Sequence, residues 1–224
     1  MSPPHELEVL PSADAVARRG AALFAGAARS AVSTRGAFAA AVSGGRTPWG
    51  MFRHLAAEEI PWARVELWQV DERVVPDRDP ERTLTRLRAS LPEDAAPAVH
   101  AMPVDEDDLL AAAGRYAASL PEAFDLVHLG LGDDGHTASL FPGDPVLEVR
   151  DRDVALTRGS KRMTLTYPGI SRARRLLWLV TGADKASMLP RLLAGDASIP
   201  AGRVRGGRSV VLADGAAAGE LSGT

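Results

Sequence analysis

The stretch that most constrains this chain is residues 124–143, FDLVHLGLGDDGHTASLFPG. Leu126, Val127, Leu129 and Leu131 make a near-continuous apolar run, the pattern of a strand buried on both faces in a parallel sheet. The character then changes abruptly. Gly130, Gly132 and Gly135 allow backbone conformations closed to other residues, and beside them stand Asp133, Asp134 and His136. Histidine titrates near neutrality, so a loop of this make-up at a strand's carboxyl end suits acid-base chemistry. Gly130 to Gly135 also fits the dinucleotide fingerprint GxGxxG. That reading fails on two counts: a pyrophosphate would meet two carboxylates, and Phe141-Pro142-Gly143 follows too soon for the long helix the motif needs.

The rest of the chain alternates strand and helix patterns. His5 to Leu10 reads as a short edge strand, and Ser12 or Asp14 caps an alanine-rich helix to about Val32. Ala37 to Val42 is a strand, Ser43-Gly44-Gly45-Arg46-Thr47-Pro48 a loop, and Trp49 to Glu59 a helix with Pro48 suited to its first turn. A strand from Arg64 to Val70 ends in Asp71-Glu72-Arg73, followed by a helix over 80–91, a strand over 99–103 and a helix over 105–120 whose opening acids suit its dipole. Further strands fall at 154–157, 163–167, 175–181 and 209–212, with a helix from Ala183 to Leu193 kinked at Pro190. No linker divides residues 1–224, which read as a single α/β domain. A mostly parallel, Rossmann-like sheet covered by helices on both faces is the expected fold.

Composition removes several functions. A net charge of -3 supplies no global basic field, so neither nucleic acid nor an anionic membrane is an expected partner. Any anionic ligand must therefore be held by a local cluster. Cysteine is absent, which excludes disulfides and thiolate metal sites. The first residues lack a signal pattern and no apolar run nears membrane-spanning length, so the expected location is cytoplasmic. Only Lys161 and Lys185 among 26 basic residues are lysine, which singles out those two positions.

Three polar clusters each follow a strand: Ser43 to Thr47, Asp71 to Arg73, and Gly132 to His136. Neighbouring strands of an open parallel sheet share a crevice at their carboxyl ends, so the clusters are expected to form one site. In the first, Gly44 and Gly45 let main-chain N–H groups approach an anion, Ser43, Arg46 and Thr47 add donors, and the following helix points its positive end inward. A tight turn without a ligand accounts for the glycines equally well. In the third, His136 is a general base whose tautomer Asp134 or a backbone carbonyl fixes. Arg73 can stabilise charge on a carbonyl oxygen, and Asp71 can position a sugar hydroxyl or a water. Ser43 and Ser139 are conceivable nucleophiles, but neither sits in a G-x-S-x-G elbow. His128, inside the strand, reads as a hydrogen-bonded core residue; His5, His54 and His100 read as surface residues. Metal-ligand spacing is absent, so no metal site is expected.

The set SGGRTP, DERVVP and LGLGDDGHTASLFPG, followed by RMTLT at 162–166 and TGADKA at 181–186, resembles the 6-phosphogluconolactonases of the glucosamine-6-phosphate isomerase/6-phosphogluconolactonase superfamily. The resemblance implies a three-layer αβα sandwich, hydrolysis of a phosphorylated sugar lactone without a cofactor, and Arg162 and Lys185 beside the SGG loop as phosphate ligands. Lys161 is a further candidate for the phosphate. A cation in the first turn of a helix opposes the dipole, so an anion beside Lys185 would explain it. Thr83, where relatives often carry asparagine, is left out of the expected site. The expected state is a monomer or weak homodimer. Two rivals stand beside this reading. The superfamily's isomerase, which deaminates glucosamine-6-phosphate, carries glutamate five residues after the histidine, where this chain has Phe141. A non-catalytic sugar-phosphate-binding regulator would need an output module, and no basic helix-turn-helix pattern is present.

Overall fold

A computed structural model describes residues 5–223. Strand β1 (His5–Leu10) leads into α1 (Ala13–Arg35), β2 (Phe38–Val42) and α2 (Arg46–His54). Next come β3 (Val65–Gln69), the short β4 (Asp71–Arg73), α3 (Thr83–Ser90), β5 (Ala98–His100), α4 (Leu109–Ser119) and β6 (Leu126–Gly130). Then follow β7 (Val154–Leu156), β8 (Arg162–Leu165), α5 (Tyr167–Ser171), β9 (Arg175–Val180), α6 (Leu189–Leu193) and β10 (Arg208–Asp214).

Seven of these strands form one sheet in the order β1-β10-β9-β6-β2-β3-β5, every neighbouring pair parallel. From β2 the chain builds outward through β3 to β5; it then returns to the other side of β2 and builds through β6, β9 and β10. Strand order thus reverses between β2 and β6. Such a switch point opens a crevice beyond the carboxyl ends of the two strands, because their outgoing loops diverge to opposite faces.

Both faces of the sheet are covered, which is why the central strands are apolar throughout. On one face α1 and α2 bring Phe24 and Phe52 down on Phe38, the Phe24 ring lying edge-on at 5.1 Å from Phe38 and 6.4 Å from Phe52. Val127 and Leu129 point the other way, into a core shared with Tyr116 of α4, Trp178 of β9 and Met163 and Leu165 of β8. No described helix is long and apolar enough to cross a membrane.

The departures from the expected elements have local causes. Helix α1 is capped at Ser12, whose side chain accepts from the Ala15 N–H, and it runs three residues past Val32, to where Gly36 takes a left-handed conformation and donates back to the Val32 carbonyl. Helix α2 begins at Arg46, so Arg46 and Thr47 belong to its first turn. Helix α4 starts only after Asp108 accepts from the Ala111 N–H, leaving the acids at 105–107 outside it. The expected helix over 183–193 is a 3-10 turn, Ala183–Lys185, and a separate α6. Pro190 cannot donate backward and sits in the first turn of α6, so the helix restarts there. The largest difference concerns Asp71 to Arg73: instead of a frayed strand end they form β4, antiparallel to β8 in a second sheet ordered β4-β8-β7.

Glu72 explains how a charged run holds that position. Its carboxylate is fully buried and accepts from Gln69 Nε2 at 2.7 Å and from the N–H groups of Arg73, Thr83 and Leu84, each at 2.8 Å. It thereby caps α3 and ties it to β4. Replacing Glu72 with alanine would strand four donors, two buried and two part-buried, and we expect Glu72→Ala to lose about 3 kcal/mol or more of unfolding free energy in urea titrations. A loss under about 1 kcal/mol would show that water takes over these bonds.

Candidate active site

The loops leaving β2, β3 and β6 meet in one cavity of about 950 Å³. Its lining includes Ser43, Gly44, Gly45, Arg46 and Thr47 from the first cluster, Asp71 and Arg73 from the second, and Gly132 and His136 from the third. Arg162 and Lys185 also face it. Convergence at the switch point is thus observed for every expected residue except Asp134, which stands behind His136.

One part of the lining is built from the loop after β2 and the start of α2. Gly45 is the N-cap of α2 with φ 138°, a conformation other residues rarely adopt; it has no side chain to cap the helix, and the first turn carries no acid. The N–H groups of that turn have no side-chain cap from Gly45, and Arg46 and Thr47 line the cavity. Ser43 is buried, and its Oγ has no hydrogen-bond partner among the described residues. Thr47 Oγ1 lies 2.6 Å from Thr181 Oγ1, tying α2 to the end of β9. Six cationic side chains line the cavity against four carboxylates, a local positive excess in a chain of net negative charge. Burial, and then the neighbouring Arg162 and Arg86 guanidiniums, push the Arg73 pKa below its ordinary value. Like charges gathered this closely favour a bound anion.

Lys185 reaches the cavity, although not as the helix argument had it. It ends a three-residue turn too short for a dipole, and its Nζ lies 2.9 Å from Asp184. Arg73 pairs with Glu81. Thr83, left out at the sequence level, lines the cavity and packs against Gly44, where a Cβ would come within 2.9 Å of its methyl group. Only the fold reveals this, because Glu72 pulls the start of α3 onto the second cluster. Lys161 is exposed and does not line the cavity.

Another part of the lining carries His136. Its Nδ1 lies 2.6 Å from Asp134 Oδ1, and its backbone N–H donates to the same oxygen at 2.9 Å. Burial alone would raise the Asp134 pKa, but these two bonds from His136 outweigh it and hold the carboxyl below its ordinary value. An ionised carboxylate only accepts, so Nδ1 carries a proton, and in the neutral imidazole the lone pair is then on Nε2. The Phe141 ring packs 4.7 Å from the imidazole, and the Arg162 guanidinium lies over the other side of that ring at 5.4 Å. Gly132 makes room for this arrangement, since a Cβ there would clash with His136 Nδ1.

Asp71 is buried beneath the site. Ser139 Oγ donates to it at 2.6 Å and Arg162 approaches to 3.9 Å; burial, against these two, raises its pKa. Ser139 is fully buried and engaged, so of the two conceivable nucleophiles only Ser43 faces the cavity. Of the other histidines, His128 is buried and accepts from the Ser43 N–H as expected, while His5, His54 and His100 are only partly exposed. His5 is half-buried with Nδ1 2.7 Å from Ser209 Oγ, and His100 stacks on Trp68 at 3.8 Å. His54 pairs with Asp14 at 2.9 Å. Among the described residues no three His, Asp or Glu side chains gather where a metal ion could sit.

Residues 11–212 match the family described as glucosamine-6-phosphate isomerases/6-phosphogluconolactonase. The chain belongs to that family. It is 34% identical to the 6-phosphogluconolactonase of Nostoc sp., over 96% of this chain and 98% of the relative. It is 37% identical to that of Streptomyces coelicolor, over 85% of each chain. Among solved structures, a 6-phosphogluconolactonase from Shewanella baltica superposes with a TM-score of 0.85 at 26% identity, over 96% of this chain and 99% of that one. The family's α/β fold, a parallel sheet flanked by helices, is the fold found here. Isomerases and lactonases share this family, so the distinction between them must come from the site.

Two measurements check the His136 wall. Gly132→Ala should keep the circular dichroism spectrum and reduce turnover by about a hundredfold, as expected when a side chain the reaction needs is moved by an ångström; near-normal turnover would show that the imidazole has another place to stand or no part in the reaction. Asp134, with its folded pKa lowered, adds stability above the unfolded carboxylate value near 4, and that contribution fades as pH falls through the folded value. Melting temperatures of wild type and Asp134→Asn should therefore differ near neutrality and converge in acid. A difference independent of pH would mean that the bond does not depend on an ionised carboxylate.

Proposed function

We propose that this enzyme hydrolyses 6-phospho-D-glucono-1,5-lactone to 6-phospho-D-gluconate, the lactone step of the oxidative pentose phosphate pathway, with His136 activating the attacking water. The observation that carries this reading is the shared cavity, which the serine-diglycine bend and His136 both line. The relatives named 6-phosphogluconolactonase support the same reaction class. We read residues 1–224 as one domain, supported by a cavity whose lining runs from Ala13 to Asp214.

The phosphate sits against Ser43, Gly44, Gly45, Arg46 and Thr47, where backbone N–H groups and the Ser43 hydroxyl supply donors. Arg162 and Lys185 supply charge. That grip orients the ring so that C1 lies toward His136. Nε2, its lone pair held ready by Asp134, takes a proton from water as the oxygen attacks C1. The carbonyl oxygen becomes an oxyanion, and Arg73 supplies the nearby positive charge. Collapse breaks the bond from C1 to the ring oxygen, which takes its proton from the His136 imidazolium, leaving a carboxylic acid and a free hydroxyl. Asp71 acts from beneath, fixing Arg162 through their ion pair. A lactone is an activated ester, so no covalent nucleophile and no cofactor enter this scheme.

The isomerase alternative needs an acid-base group to relay protons during ring opening. At the corresponding place beside His136 stands Phe141, an apolar ring packed on the imidazole. It offers no proton. A non-catalytic regulator would bind the phosphosugar without needing a histidine held by an ionised carboxylate.

His136→Ala separates these readings. We expect the variant to keep binding 6-phosphogluconate while kcat for the lactone, corrected for spontaneous hydrolysis, falls by about 10²–10⁴. Unchanged turnover would remove His136 from the mechanism, and ammonia release from glucosamine-6-phosphate by the wild type, without lactone hydrolysis above background, would overturn the assignment.

A further inference from the structure

His128 is a buried titratable group that the chemistry above does not use. It lies in β6 with its side chain on the same face as Leu126, toward α1 and α2, while Val127 and Leu129 face the opposite core. Strand β6 pairs with β2 through Val42↔His128, and this is the last rung of that ladder. The next N–H of β2, that of Ser43, therefore leaves the β6 ladder while still buried. It donates to His128 Nδ1 at 3.3 Å. A buried backbone N–H without an acceptor is costly, so the imidazole stands in for the missing strand carbonyl.

The chemistry of the ring is fixed by this bond. With Nδ1 accepting, the imidazole is neutral and carries its proton on Nε2, which has no hydrogen-bond partner among the described residues. Burial keeps it neutral by pushing the His128 pKa down to about 3. A ring that only filled space would need no acceptor facing Ser43. Ser43 opens the bend whose hydroxyl and following glycines line the cavity.

We infer that His128 is a positioning residue: its Nδ1 anchors the Ser43 backbone and thereby sets the Ser43-Gly44-Gly45 bend in its anion-receiving conformation. The effect on catalysis rests on the phosphate-binding role proposed for that bend, whereas the effect on the bend itself does not. Two variants of the full chain test it. His128→Leu removes the acceptor and keeps an apolar side chain; His128→Asn keeps an acceptor, since its amide oxygen stands near the place of Nδ1.

Amide hydrogen exchange of the segment containing Ser43 is followed by mass spectrometry, together with kcat and KM for the lactone and inhibition by inorganic phosphate. In His128→Leu we expect faster exchange at that segment and about tenfold increases in KM and in the phosphate inhibition constant, with kcat changed less than about threefold. His128→Asn should restore most of each. Wild-type exchange and KM in His128→Leu, or an asparagine variant as defective as the leucine one, would overturn the inference. If the leucine variant fails to fold, the asparagine variant decides alone: wild-type exchange supports the anchor and accelerated exchange refutes it. Should the wild type not hydrolyse the lactone, the proposed function fails, while the exchange comparison still settles whether His128 anchors the bend.

Discussion

The structure depends above all on the parallel pairing of β2 with β6, through Ala40↔Leu126, Ala41↔Val127 and Val42↔His128. These strands are far apart in sequence, yet they meet where the sheet reverses its direction of growth. Hydrophobic burial on both faces sets the register, because Leu126 and Val127 belong to opposite cores and a one-residue slip would exchange them. The loop after β2 and the loop after β6 then leave from adjacent points. One carries the serine-diglycine bend and the other a histidine, and both line the same cavity.

Around that crevice the protein concentrates more positive than negative side chains. Burial, and then the nearby Arg162 and Arg86, lower the Arg73 pKa, and the first turn of α2 carries no acid. Carboxylates are present, but each has an assignment: Asp134 on His136, Asp71 on Ser139, Glu72 on the start of α3. Positive charge and backbone donors remain for a ligand. The small residues matter at the same points. Gly132 admits the His136 ring, Gly44 admits Thr83, and Gly45 begins α2 from a conformation that side chains disfavour.

The second, antiparallel sheet solves a different problem. A parallel sheet alone would bring Asp71 and Arg73 only to the end of β3. By leaving that sheet at Val70 and pairing with β8, the chain sets Arg73 directly opposite Arg162 and places both over the cavity. The buried Glu72 between Asp71 and Arg73 holds this excursion in place, so a run that looks like a solvated strand end is an interior element.

The sequence by itself determined the sheet class, the clusters at the carboxyl ends of β2, β3 and β6, and the catalytic candidate His136. Each follows from local chemistry: two-sided apolar strands, glycines flanking polar side chains, a histidine beside an acid. The identity of Phe141, on which the proposed distinction from the isomerases rests, was equally legible. Only the tertiary structure decided which donors remain free and which are spent. Arg73 meets Glu81, Ser139 is taken by Asp71, Lys185 sits on a turn and not on a helix, and Thr83 enters the cavity through a cap made by Glu72. These partners are brought together by packing across long stretches of chain, and a hydrogen bond between residues distant in sequence leaves no mark on the local pattern of either.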